Sequence, residues 1–260
     1  MARRPLDLAK ARILISNDDG IHATGLKLLE EVALTLSDDV WVVAPEAEQS
    51  GASHSLTMRR PLRLRHLSER HYAVDGTPTD SVLLAVRHVL KDKPPDLVLS
   101  GINRGANLGE DVTYSGTCAA AMEGTLLGIP SIALSQHADG RSPTKWATAE
   151  RHAATVIKHL AAVPWPADVF VNVNFPDVPA ASVKGIHVVA QGRRKPASSI
   201  EERIDPRGSP YYWIGLNREV EPMLEETDVA AVRDGFVSVT PLNLDMTHDA
   251  MVARLREAFA

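Results

Sequence analysis

The sequence predicts an α/β protein built on a doubly wound, mostly parallel sheet. Three observations carry this reading. Short apolar runs of strand length recur along the chain, beginning with Ile13-Leu14-Ile15 and ending with the run at 169–175. They are continuous rather than alternating, as in strands buried on both faces. Segments with helical spacing separate them, so strands and helices alternate from residue 12 to about 175.

The first strand stops at Ser16-Asn17-Asp18-Asp19-Gly20, and a helical pattern follows at Leu26, Leu29, Ala33 and Leu36. Val40-Trp41-Val42-Val43-Ala44 reads as a second buried strand, stopped by Pro45. Residues 46–60 are rich in small polar side chains and read as a loop over the same sheet end. Leu62-Arg63-Leu64-Arg65 alternates with period two and suggests a half-exposed strand; Tyr72-Ala73-Val74 is another. A helix is expected over 81–90, capped by Thr79 or Asp80, before Pro94-Pro95 breaks the chain. Residues 96–100 form a third core strand leading into a loop at 101–109, GINRGANLG. A helix of small residues over 117–127, a strand over 131–135, an amphipathic helix over 145–160 and the strand at 169–175 complete the alternation.

The last third differs. Ile186-His187-Val188-Val189 reads as a strand, and 191–210 as a polar loop or projecting arm. Tyr211-Tyr212-Trp213-Ile214 follows as a strand with exposed aromatics, which pack either on a partner subunit or on their own domain. A strand at 236–241 and a helix at 249–259 close the chain. We therefore expect one unit over 1–260, with a core at about 12–190, an arm at about 191–215 and a C-terminal segment at about 236–260.

Composition narrows the function. The 260 residues are 44% hydrophobic and 23% charged, as in an ordinary globular protein. A formal net charge of −5 argues against binding a nucleic-acid polymer but leaves room for a local phosphate pocket. Cys118 is the one cysteine, which excludes an internal disulfide and fits a reducing compartment. The basic opening lacks a signal-peptide core, and no apolar run approaches the roughly 20 residues that span a bilayer. The expectation is a cytoplasmic protein with no membrane contact.

The chemistry concentrates in loops that follow strand carboxyl ends, where open α/β sheets bind ligands. These are Asn17-Asp18-Asp19-Gly20, the segment 49–55, the segment 101–109 with Asn103 and Asn107, and Tyr114-Ser115-Gly116-Thr117 opening a helix. Adjacent carboxylates at the end of a buried strand are costly without a cation, and oxygen-rich acidic sites suit Mg²⁺ or Mn²⁺. Backbone N–H groups of Ser115-Gly116-Thr117 at a helix start suit a phosphate. Together they offer metal-assisted phosphate chemistry. Neither a P-loop nor a GxGxxG fingerprint nor a GxSxG elbow occurs. His22 and His54 lie in these loops but read as weak candidates for acid–base work.

Five segments, ILISNDDGIHATGLKLL, VVAPEAEQSGASHSLT, VDGTPTDSV, PDLVLSGINRGANLGEDVTYSGTCAAAMEGTLLGIPSIALS and VSVTPLNLDMT, resemble in order the survival protein SurE family. The resemblance implies a Rossmann-like fold with a C-terminal extension. It implies a metal-dependent phosphatase of nucleoside 5′-monophosphates, extending to 3′-monophosphates and short polyphosphate. It implies one divalent ion per subunit, Mg²⁺ or Mn²⁺, with its ligands falling on Asp18, Asp19, Ser50 and Asn103. Phosphate contacts fall on Asn107, Ser115, Gly116 and Thr117, and the catalytic pair on Asp18 and Asp19. It also implies a homodimer or homotetramer built through the arm and the C-terminal segment. One departure shows: the family's usual Gly-Thr-Asp is Glu226-Thr227-Asp228 here, which puts the local turn in doubt.

Two rivals fit less well. A phosphatase forming an aspartyl-phosphate uses Asp-x-Asp, whereas Asp18 and Asp19 are adjacent. A receiver-type switch needs an acid at the end of the third core strand, where this chain has Ser100-Gly101-Ile102-Asn103. Tyr114 and the arm's aromatics are the expected partners of a base.

Overall fold

The computed structural model describes residues 4–140, 142–193, 197–217 and 224–260. A nine-stranded mixed sheet organises it, built around β1 (Arg12–Ser16). β1 pairs in parallel with β2 (Asp39–Pro45) on one side and β5 (Leu97–Arg104) on the other. The direction of chain progression therefore reverses between β1 and β5, which opens a crevice beyond their carboxyl ends.

β3 (Leu64–Ser68) and β4 (His71–Val74) extend the sheet beyond β2. β6 (Ser131–Gln136), β7 (Val169–Phe175), β11 (Val237–Asn243) and β8 (Ile186–Val188) extend it beyond β5. Pairing is parallel through β7; β3 on β4 and β11 on β7 are antiparallel. α1 (Thr24–Leu34) and α4 (Trp146–Ala161) cover one face, and α2 (Pro78–Leu84) and α3 (Gly116–Leu126) the other.

The apolar runs explain this layering. Along β1 side chains alternate between faces. Ile13 and Ile15 pack in the core with Leu29, Val32, Val156 and Ile157 of α1 and α4. Leu14 joins Val82, Val86 and Ala120 on the opposite face. Burying each such side chain contributes about 1.5–3 kcal/mol. The first turn of α1 sits directly on the backbone of β5: a Cβ added at Gly25 would stand 1.8 Å from the Ile102 carbonyl oxygen. This close approach fixes the helix after the acidic pair against the strand that carries Asn103.

Several boundaries differ from the sequence expectation. The strand expected at 62–65 lies at Leu64–Ser68, displaced toward the polar residues that pair with β4. The helix expected over 81–90 starts at Pro78, because Thr77 caps it rather than Thr79 or Asp80. Thr77 Oγ1 accepts from the Asp80 N–H at 3.1 Å, and the Asp80 carboxylate accepts from the Thr77 N–H at 2.9 Å. This reciprocal box, with Pro78 at the first helical position, outweighs later cap candidates. α2 then gives way to a π-helical turn at Ala85–Val89. The loop expected from residue 101 begins later, since β5 continues to Arg104 with an irregularity between Ser100 and Asn103.

In the last third, β9 (Ala197–Ile204) and β10 (Pro210–Asn217) form an antiparallel hairpin, so part of the segment expected as a polar loop or projecting arm is a strand. The hairpin belongs to no strand of the main sheet. It exposes Tyr212, Trp213 (61%) and Ile214 (73%). α6 (Asp249–Ala258) buries no residue and exposes Met251 and Leu255. α5 (Asp228–Arg233) is capped by Thr227, and the family's glycine position is filled by Glu226 at φ +60°. Glutamate thus holds a left-handed backbone conformation that glycine adopts more readily. No described helix is long and apolar enough to cross a membrane.

Asp39 fastens the amino-terminal edge of this sheet. Its carboxylate accepts from Arg12 Nε at 2.9 Å, Trp41 Nε1 at 2.8 Å and Lys93 Nζ at 3.1 Å. Burial would raise its pKa, but these donors outweigh it and hold it at about 2, below the ordinary 3.8. A depressed folded-state pKa contributes stability above the unfolded value, lost as pH falls through the folded one. Asp39→Asn is expected to cost about 1–2 kcal/mol at pH 7 and much less near pH 2, as measured by urea unfolding at both.

Candidate functional site

The crevice at the β1/β5 switch point collects the acidic pair and three neighbouring segments. Asn17 shapes the turn after β1: its Nδ2 donates to the Gly20 carbonyl at 2.9 Å. Gly20 takes φ +96° and lies against the backbone of Ala47, which draws the loop after β2 over the turn. The Gln49 N–H donates to the Asp18 carbonyl at 2.8 Å and locks that loop, with Ser50, beside the pair. From β5, the Arg104 N–H donates to Asp19 Oδ2 at 3.1 Å, next to Asn103. From α3, Thr117 Oγ1 donates to Asp18 Oδ1 at 2.6 Å.

Asp18 is 4% exposed. Burial raises its pKa to about 6, and the Asp19 charge adds to this, while the Thr117 hydroxyl opposes it. Burial also raises Asp19; the Arg104 N–H and guanidinium oppose that, and Glu48 reinforces it. Among the described residues neither aspartate forms an ion pair with a Lys or Arg side chain. The pair is thus a concentration of negative charge lacking a direct counterion. Asn103 donates its Nδ2 to the Gly105 carbonyl at 2.9 Å, and Ser50 Oγ donates to Glu48 Oε1 at 2.8 Å.

These donors suit a hard cation. Two carboxylates, a hydroxyl and an amide are all-oxygen ligands of the kind Mg²⁺ and Mn²⁺ prefer. Among the described residues no three His, Cys, Asp or Glu side chains cluster as a metal site, so a metal here depends on the neutral oxygens as well.

α3 begins at the pair. Ser115 caps it, its Oγ accepting from the Cys118 N–H at 3.0 Å, and its own N–H is engaged by the Asp111 carbonyl at 3.1 Å. The Thr117 hydroxyl and backbone N–H both act on Asp18, and the Gly116 N–H is a further donor of the helix's first turn. A Cβ added at Gly116 would stand 2.7 Å from Asp18 Cβ. Asn107 lies deeper. Its N–H donates to Asn174 Oδ1 at 2.8 Å, and its carbonyl accepts from Asn172 Nδ2 at 2.7 Å and Asn174 Nδ2 at 3.1 Å. One hydrogen of its Nδ2 goes to Ser135 Oγ at 2.8 Å, which leaves the second.

An open cleft of about 530 Å³ runs outward from Asp19 and Ser50, lined also by Glu48, Arg104, Thr144 and Trp146. A larger cavity of about 900 Å³ lies along β8, lined by Val188, Glu226 and Phe236 among others. It holds none of the convergent oxygen donors, so chemistry rather than size places the site.

His22 is exposed at the start of α1. His54 is held by Glu123 of α3, Nε2 to Oε2 at 3.0 Å, and ties the Ser50 loop to that helix. Tyr114 is exposed and does not line the cleft. Sequence reasoning passed over Asn172 and Asn174, although two asparagines two apart in an apolar strand share a face and signal a buried polar task. It also passed over Arg104, Glu48 and Trp146, which no local pattern distinguishes from surface residues.

Fold and site define a doubly wound α/β protein whose switch-point crevice presents hard oxygen donors beside a helix amino terminus. The chain belongs to the survival protein SurE family: the profile of the family described as "Survival protein SurE" matches residues 13–198. It is similar to the 5′-nucleotidase SurE of Paramagnetospirillum magneticum, with 63% identity and 97% of each chain covered. It is 56% identical to the 5′-nucleotidase SurE of Parvibaculum lavamentivorans, covering 95% of this chain and 90% of that one. Among solved structures it resembles the SurE protein from Aquifex aeolicus, with a TM-score of 0.83, 42% identity and coverage of 95% and 99%.

The contact between Gly116 and Asp18 yields a stability test. Gly116→Ala must displace either the start of α3 or the buried carboxylate. The expected loss is about 1–3 kcal/mol, read by chemical denaturation; an unchanged midpoint would show that the two elements are not in contact.

Proposed function

We propose that this chain is a metal-dependent phosphatase that hydrolyses nucleoside 5′-monophosphates to nucleoside and phosphate. The observation that carries the reading is the Asp18–Asp19 pair at the start of α3, Asp18 buried and Asp19 half-buried, with no ion-paired cation among the described residues. The 5′-nucleotidase names of the relatives support it. Asp18, Asp19, Ser50 and Asn103 would hold one Mg²⁺ or Mn²⁺ per subunit. When bound, such an ion neutralises developing charge and lowers the pKa of a coordinated water.

The chain's own groups do the rest. Asn107, Ser115, Gly116 and Thr117 form the phosphate seat, the first through its spare amide hydrogen and the others through the start of α3. One aspartate takes the proton of the attacking water. Thr117 keeps Asp18 oriented, and the Arg104 N–H does the same for Asp19. Phosphoryl transfer needs mainly positioning and charge stabilisation, and the crevice provides both. The seat grips a terminal phosphate, so 3′-monophosphates and short polyphosphate fall within the same proposal. The buried, unpaired Cys118 supports a cytoplasmic location.

Phosphate release from a panel of nucleoside monophosphates tests this. Release is expected with Mn²⁺ or Mg²⁺ and none after EDTA treatment. Asp18→Asn and Asp19→Asn should each lower kcat by about 100-fold or more with the fold retained, since few groups share the work. Full activity in either variant would overturn the assignment.

We also propose self-association into a dimer or tetramer through the β9–β10 hairpin and α6. Aromatic and aliphatic side chains exposed on both support it. Trp213→Asp is expected to shift the mass measured by sedimentation toward the monomer. An unchanged mass in this variant and in Ile214→Asp would remove the arm from the interface.

A further inference from the structure

We infer that the cleft beside Asp19 seats the nucleoside, with its base stacked on the indole of Trp146 and the guanidinium of Arg104 forming the second wall. The inference rests on the phosphatase reading and adds to it the groups that select a nucleotide over other phosphate esters.

The geometry argues from the phosphate outward. Asp19 belongs both to the acidic pair and to the cleft lining, so a substrate anchored by its phosphate at the pair projects its organic half into the cleft. The volume, about 530 Å³, falls in the range of small-molecule sites. Trp146 opens α4 and is half buried. One edge of its ring is pinned to the first turn of α1, Cη2 lying 3.1 Å from where a Cβ on Gly25 would stand. One edge of the indole is thus packed against α1.

Arg104 is exposed, and among the described residues its guanidinium makes no ion pair or hydrogen bond. Its charge acts on Asp19, and it lines the same cleft. Trp146 and Arg104 line the same cleft, and an indole and a guanidinium are both groups on which a base stacks. Glu48, on the same lining, offers carboxylate oxygens to sugar hydroxyls. The cleft has no Asn or Gln side chain to read a base edge. Stacking alone tolerates any base, so the cleft selects nucleotides as a class and favours the larger purine face.

Calorimetric titration of adenosine and of ribose into the full chain tests this without turnover. Adenosine is expected to bind and ribose not to bind at the same concentrations. Trp146→Phe keeps an aromatic face and should bind adenosine within about threefold of wild type. Trp146→Leu fills the space against Gly25 without that face and should lose about tenfold or more. Arg104→Ala, at an exposed position, should lose several-fold. Failure of wild type to bind adenosine, or equal binding by Trp146→Leu, would overturn the inference. Phosphate release from adenosine monophosphate without adenosine binding would leave the phosphatase reading standing and remove this one. Adenosine binding without phosphate release would do the reverse.

Discussion

Two adjacent carboxylates stand at the end of a strand buried on both faces, and the rest of the structure depends on how that charge is held. Burial, reinforced by the Asp19 charge, raises Asp18 from 3.8 to about 6 even with the Thr117 hydroxyl opposing it. The opposing bond from Thr117 is 2.6 Å long, and the Arg104 N–H supports Asp19. Neither is a counterion. The fold places this pair at its topological switch point, facing an open cleft, and the proposed cation and phosphate would meet there.

The surrounding segments are fixed by ordinary packing and hydrogen bonding. Gly25 lets α1 rest on β5, and Gly116 lets α3 start against Asp18. The loop bearing Ser50 is held at three points: Gln49 to the Asp18 carbonyl, Ser53 to the Thr113 carbonyl, and His54 to Glu123. Behind the site, Asn172 and Asn174 grip the Asn107 backbone much as a neighbouring strand would. The chemistry therefore sits on loops, but each loop is tied to a strand or helix that cannot shift without disturbing the core.

Much of this was legible in the sequence because it follows from local rules. Unbroken apolar runs marked the buried strands, and Asn-Asp-Asp-Gly after the first of them marked the crevice. Where local rules compete, reading failed. Thr77, Thr79 and Asp80 are all acceptable caps, and the reciprocal bond of Thr77 with Asp80 decided between them. β5 runs past Gly101 because β6 supplies partners as far as Gln136, a long-range fact absent from the local pattern. Arg104 and Trp146 are far apart in sequence and meet only through packing of α4 on α1. At Glu226, where the sequence departs from the family's usual glycine, the backbone takes the left-handed conformation, which no local pattern announces for a glutamate.

The central claim is that the acidic pair exists to hold a divalent ion. Titration of Mn²⁺ into the metal-free chain, followed by electron paramagnetic resonance, addresses it directly. One saturable site per chain is expected, lost in the Asp18→Asn, Asp19→Asn double variant and weakened in Asn103→Ala. Absence of saturable binding by the folded wild-type chain, or unchanged binding by the double variant, would contradict the account.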